Sequence, residues 1–269
     1  MIYRLLVWNW HFWFRPVYLP LTVIVGIMLG LSAGQFAVAL SNTPNVSLGY
    51  WDGVLLALLG PSENVVPVEF LRWLIVPITF LAMTNTIATA DMERFGYTTA
   101  SRAESRRRWF TAKVYLLPVA SLFYVLVILF GILLGVRVYL PFGLANDALL
   151  NSLNVTSIDT YSAIFWWILL TTTSLVLFSL LQLVLSVFVP KSFYAFVAVI
   201  LLILFSVFVN ISNPLAIWLP GTQAILRAHY PINTHRPPFS FEWSVVYNLF
   251  ACFVVYVISL PFVRRISFQ

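Results

Sequence analysis

Charge is what this chain of 269 residues has least of: Asp, Glu, Lys and Arg make up 9% of it, against 61% for hydrophobic residues. Soluble domains carry about 25% charge and about 45–50% apolar residues, so a water-soluble domain is excluded. The one cysteine, Cys252, excludes an internal disulfide, and it lies in an apolar segment where a free thiol packs as a small hydrophobe. The three histidines, His11, His229 and His235, fall outside the long apolar segments. That argues against a haem held between helices, and the absence of H-E-x-x-H argues against a zinc protease. His229 and His235 have no third ligand at close spacing, so they do not read as a metal site. No G-x-x-x-x-G-K-[ST] is present, so the chain has no phosphate-binding loop of its own. No G-x-S-x-G and no Ser/His pair within the apolar segments points to a serine protease. No acidic residue falls in the middle of an apolar segment, where a proton-coupled carrier would keep its relay.

What the chain does have is long apolar runs. A helix needs about 20 apolar residues to cross about 30 Å of hydrocarbon. Six segments qualify, at about 17–40, 68–90, 111–140, 161–189, 193–210 and 244–262. The expected fold is an all-α integral membrane protein forming a single transmembrane domain over 1–269. Ala37-Val38-Ala39 has the form of a signal-peptide cleavage site, but the run before it is far longer than a signal core of about 7–15 residues. It reads as a retained first span. Residues 1–15 are too polar to span, and Trp8, Trp10 and Trp13 suit a short helix lying in the headgroup zone. Residues 211–242 carry five prolines between short apolar pieces, which predicts re-entrant or short helices between spans 5 and 6.

Loop charges set the expected orientation. Arg4, Arg15, Arg94, Arg102, Arg106, Arg107, Arg108, Lys113, Lys191, Arg264 and Arg265 fall on one side. Arg72, Arg137, Arg227 and Arg236 fall on the other, over longer loops. The positive-inside rule places the first set, with both termini, in the cytoplasm of a multi-pass cell-membrane protein. The same rule accounts for the net charge of +6 without nucleic acid as a partner.

Inside the spans, three features carry information. Gly26, Gly30 and Gly34 share a helix face, as do Gly131 and Gly135, and such faces let helices approach closely. The first set suits either packing within one subunit or a dimer seam. Thr84, Asn85, Thr86 and Thr89 make one half of span 2 polar; they would line a pathway or bond to neighbouring helices. Glu69 and Arg72, three apart, would pair on one helix face as a structural contact.

Positive charge gathers in one stretch. Residues 91–113 hold six of the fifteen Lys and Arg. Gly96 suits a break after span 2. Ser101 and Glu104 have the spacing of a capping box, so a helix is expected from Ser101 straight into span 3. Trp109 is expected at the membrane interface. The plainest role is an anchor that attracts anionic lipid, at about 1 kcal/mol per basic residue. A break followed by a fresh cap suggests more, a short helix with a defined pose.

Glu93, Gly96, Ser101-Arg102, Trp109 and Lys113 resemble the segment between spans 2 and 3 of type-2 ABC exporter permeases, where an E-x-x-G turn precedes S-R, an aromatic and a Lys. The interfacial N-terminal helix, the six spans and the short turn at 190–192 are similar to that family's plan. The resemblance implies a membrane subunit, not itself an enzyme and without a cofactor, that exports an amphiphile such as a peptide, lipid or drug. Separate ABC ATPase subunits would hold ATP and Mg, and the chain would pair with a second copy or a sister permease in membrane lipid. It implies a cytoplasmic coupling helix whose ATPase contacts include Glu93, Arg94, Ser101, Arg102, Glu104 and Arg106. The readings set against it are a non-transporting accessory or immunity protein and a membrane-embedded enzyme.

Overall fold

The computed structural model describes residues 17–41, 48–62, 66–93, 105–143, 145, 147–189, 191–209, 214–233 and 239–263; the side chains of 86–93 and of Arg106 lie outside the description. The chain forms α1 (Tyr18–Ser41), α2 (Tyr50–Leu58), α3 (Pro67–Glu93), α4 (Arg106–Arg137), α5 (Ala148–Ser152), α6 (Thr160–Phe188) and α7 (Ser192–Phe208). Three 3-10 turns follow, Pro214–Trp218, Thr222–Ala224 and Leu226–Ala228, then β1 (His229–Tyr230), β2 (Phe239–Ser240) and α8 (Phe241–Val263). The strands pair in parallel over two residues. Among the described residues five helices, α1, α3, α4, α6 and α8, are long and apolar enough to cross a membrane. The sixth expected span, α7, has 17 residues, the short end of the spanning range. The architecture is that of an all-α, multi-pass membrane protein.

The α1–α4 contact is the most extensive of the helix pairs, and glycine makes it. A methyl group on Gly26 would lie 2.6 Å from the Ile128 carbonyl oxygen and 2.9 Å from Gly131 Cα. Gly30 meets Ile132 and Gly135 in the same way, one turn on, while a methyl group on Gly34 would lie 3.2 Å from the Tyr139 ring. The two small-residue faces expected from the sequence therefore meet each other within one chain. Backbone approaches backbone because no Cβ intervenes.

At the centre is α6, 61% of whose spanning window is buried, against 11% for α8. It packs against α3, α4, α7 and α8. Pro77, Pro118 and Pro261 lie within α3, α4 and α8 without ending them. Each proline removes one i→i−4 hydrogen bond from its helix, and proline is tolerated within membrane-spanning helices because surrounding groups satisfy the freed carbonyl.

The stretches 41–67 and 141–160, which fall between the expected spans, contain α2 and α5. Asp52 explains both. Its Oδ2 accepts from Gly49 N at 2.8 Å at the start of its own helix, and its Oδ1 accepts from Leu149 N at 2.8 Å in the first turn of α5. The carboxylate is fully buried, so its charge is held by backbone N–H groups at helix starts. Asp147 and Asp159 act alike around the start of α6: Thr160 N donates to Asp147 Oδ1 at 3.2 Å, and Ser162 N to Asp159 Oδ1 at 3.2 Å. Aromatic rings close this end of the bundle, with Tyr50 stacked on Phe142 at 4.2 Å and Trp51 edge-on to Tyr161 at 5.3 Å.

Candidate functional site: a pinned basic helix start and a polar interior

The basic stretch is described only at its two edges. Glu93 ends α3 and Arg106 begins α4, and neither side chain is described. Arg94, Gly96, Ser101, Arg102 and Glu104 lie outside the described residues, as do residues 1–15. What is described changes one expectation. The helix entering span 3 begins at Arg106, with Ser105 as its cap: Ser105 is extended, at φ −156° and ψ 143°, and its Oγ accepts from Arg108 N at 3.2 Å. An extended residue cannot carry a helix through from Ser101, so the cap moves to Ser105.

Trp109 and Lys113, expected at the interface and one turn beyond it, are both buried, each with 1% exposure. Lys113 Nζ lies 4.9 Å from the Trp109 ring centroid, a cation–π contact. Trp109, Phe110 and Leu117 pack with Leu180 and Leu183 of α6 and Val263 of α8. Thr111 Oγ1 and Tyr256 Oη are 3.1 Å apart across the same contact. The start of α4 is thus pinned between two other spans, with Arg107 and Arg108 exposed on its first turn. That turn holds no acidic residue. Cations at a helix N-terminus oppose the helix dipole, so the dipole does not account for their place.

The polar residues of span 2 bond across the bundle. Gln182 Nε2 of α6 donates to Asn85 Oδ1 at 3.0 Å and to Leu81 O at 3.2 Å, and Thr84 Oγ1 donates to Gln182 Oε1 at 3.4 Å. This is interhelical bonding, one of the two roles open for Thr84 and Asn85. The Thr89 side chain lies outside the described residues. On the other side of α6, Asn248 Nδ2 of α8 donates to Ser174 Oγ at 2.9 Å and Thr173 Oγ1 at 3.2 Å.

Near the Pro67 end of α3, Glu69 does not pair with Arg72. Its Oε2 takes Arg227 Nη1 at 3.1 Å and the Ser62 N–H at 3.1 Å. The chain brings Arg227 there by folding back: Arg227 N donates to Leu59 O at 3.0 Å. Arg72 is left with Nε and Nη1 buried and without an acceptor. It borders a narrow cleft whose walls include Trp73, Val76, Trp167, Thr171, Ser174 and Phe178. Sequence reasoning took Arg72 for half of a structural pair. The signal available was a guanidinium within an apolar span, which marks a functional site by default.

A second polar group joins the turns before α8 to the first turn of α8. His229, Ser244 and Gln223 are fully buried. His229 Nδ1 lies 2.9 Å from Ile225 O, and Nε2 lies 2.6 Å from Ser244 Oγ. Ser244 Oγ donates to Gln223 Oε1 at 2.6 Å, and Gln223 Nε2 donates to Ile217 O at 2.7 Å. Burial pushes the His229 ring down to about 4, against the pull of nearby backbone carbonyls and of Glu242. The neutral ring donates Nδ1–H to Ile225, so Nε2 accepts and the single Ser244 proton is shared between two acceptors. No Ser/His pair was legible in the sequence, because the partners are 15 residues apart across an irregular segment. The pair has no access for a substrate, since both side chains are sealed. Phe239 and Phe241 flank the ring at 4.5 and 5.1 Å.

Among the described residues no group of three or more His, Cys, Asp or Glu could hold a metal ion. No protein-family model and no curated protein matches the chain.

Proposed function

We propose that the chain is the membrane-spanning permease subunit of an ATP-driven exporter, with six spans and both ends in the cytoplasm, moving an amphiphile outward with energy from a separate ATPase. The observation that carries this reading is the start of α4. Arg107 and Arg108 stand exposed on a first turn without acids, directly above Trp109 and Lys113, which are buried against α6 and α8. A load applied at that turn is passed to two other spans, because side chains packed to near-crystalline density transmit displacement. An anchor to anionic lipid needs the charge but not the rigid seat. The partner would be an ATPase surface with acidic groups, reached by Arg106–Arg108 together with Glu93, Arg94, Ser101, Arg102 and Glu104. Because Gly26 and Gly30 are already used against α4, the seam with a second copy or sister permease would use another surface.

The test is purification of the full chain from its native membrane in mild detergent. The expected result is a co-purifying soluble ATPase subunit and vanadate-sensitive ATP hydrolysis. Recovery of the chain at full yield with no nucleotide-hydrolysing partner, under conditions that preserve membrane complexes, would sink the reading.

A further inference from the structure

At Arg72 a buried cation and a cleft coincide. Its side chain is 6% exposed, and two guanidinium nitrogens lack acceptors. The Phe36 ring lies 5.4 Å from Cζ; that cation–π contact offsets part of the burial but supplies no hydrogen-bond acceptor. The nearby carboxylate, Glu69, is committed to Arg227 and to the Ser62 N–H. Glu69 attracts Arg72 at longer range while Arg227 repels it, and Arg227 Nε is itself buried without an acceptor. Two guanidiniums therefore share one carboxylate, which leaves a local excess of positive charge away from water. A buried charge without a partner is costly, and a fold retains one where something else supplies the counter-charge.

The cleft indicates what that is. Trp73, Val76, Trp167, Leu175 and Phe178 make its walls apolar, with the hydroxyl residues Thr171 and Ser174 beside them. Apolar walls converging on a few polar groups are the usual build of a ligand site. A guanidinium presents N–H groups in a planar fork that matches carboxylate and phosphate. We propose that Arg72 anchors the anionic head, a carboxylate or a phosphate, of an amphiphile whose apolar tail lies against Trp73 and Trp167. The site does not depend on ATPase coupling, and it is testable without nucleotide.

The two cleft tryptophans provide the readout. The full chain, in nanodiscs of phosphatidylcholine, is titrated with 12-bromododecanoate and separately with its methyl ester, and tryptophan quenching is followed. The acid should quench saturably, at a concentration at least tenfold below any effect of the ester. Arg72→Met should lose that difference, Arg72→Lys should retain part of it, and Trp73→Phe with Trp167→Phe should remove most of the saturable quenching. The thermal midpoint of Arg72→Met, equal to or above that of the parent, shows that the loss is not unfolding. Dodecyl phosphate should displace the bromo acid, whereas inorganic phosphate at the same concentration should not. Equal quenching by acid and ester, or an unchanged acid affinity in Arg72→Met, would overturn the site. Displacement by inorganic phosphate alone would overturn the amphiphile.

Discussion

Two basic side chains lie buried near the same end of the bundle, and they are treated in opposite ways. His229 is enclosed by groups that answer it: a carbonyl at Nδ1, a hydroxyl at Nε2, and an amide beyond the hydroxyl that is itself fixed by carbonyls. Arg72, linked to that region through the neighbouring Trp73 Nε1 bond to Ala224 O at 3.5 Å, has two nitrogens that nothing answers. The first arrangement makes sense as structure, because an irregular segment buried among spans must satisfy its backbone carbonyls from within. The second does not, because a satisfied neighbour shows that this end of the protein can supply partners. Burial alone does not separate a structural polar group from a binding one; the presence or absence of partners does.

That contrast can be broken experimentally. The largest effect is expected at the satisfied group. His229→Leu removes a ring flanked by two aromatics and one hydrogen bond each from Ile225 O and the Ser244 hydroxyl, which keep Ala228 N and Gln223 Oε1 as partners, at a cost of about 1–3 kcal/mol. Chemical unfolding in micelles reads this directly, and a loss below the measurement error would show that the network is not structural. A comparable effect is expected from pH. A histidine ordinarily titrates near 6.5, and burial holds this one at about 4. Between those values the unfolded chain binds more protons than the folded one, so stability should fall as pH drops from about 6.5 to about 4. His229→Leu should flatten that part of the profile, and a mutant that keeps the full slope would assign it to other groups. The smallest effect is expected at Arg72. Replacing a buried charge that has no partner with Met should leave stability unchanged or raise it by about 1 kcal/mol. A loss of 2 kcal/mol or more on the same scale would make Arg72 structural and erase the contrast.

Five of the six expected spans correspond to helices long and apolar enough to cross a membrane, because hydropathy and length decide such segments in lipid. The end of α7 moved from 210 to Phe208, and the start of α4 moved from 111 to Arg106, within the drift expected of helix boundaries. The glycine faces were legible as faces. Which helix each one met was not, since spacing along one helix says nothing about its partner, and only the fold shows Gly26 and Gly30 against Gly131 and Gly135. The helices α2 and α5 were missed because they are short and are held by one distant carboxylate, Asp52, whose second partner lies 97 residues away. Arg72 was misread for a related reason. Its i−3 neighbour Glu69 looked like a local partner, but a fold-back of the chain brought in Arg227. Local spacing predicts a pair only when nothing non-local competes for the same carboxylate.

The claim that energy enters through residues 91–113 is tested most directly by charge reversal there. Arg102→Glu and Glu93→Arg, made in the full chain, are compared with the parent for recovery of the ATPase subunit and for stimulated ATP hydrolysis in the same membranes. Both variants should lose the ATPase subunit and most of the stimulated hydrolysis, while the thermal midpoint of the membrane subunit stays unchanged. Full recovery of the ATPase, with undiminished hydrolysis in both variants, would contradict the account.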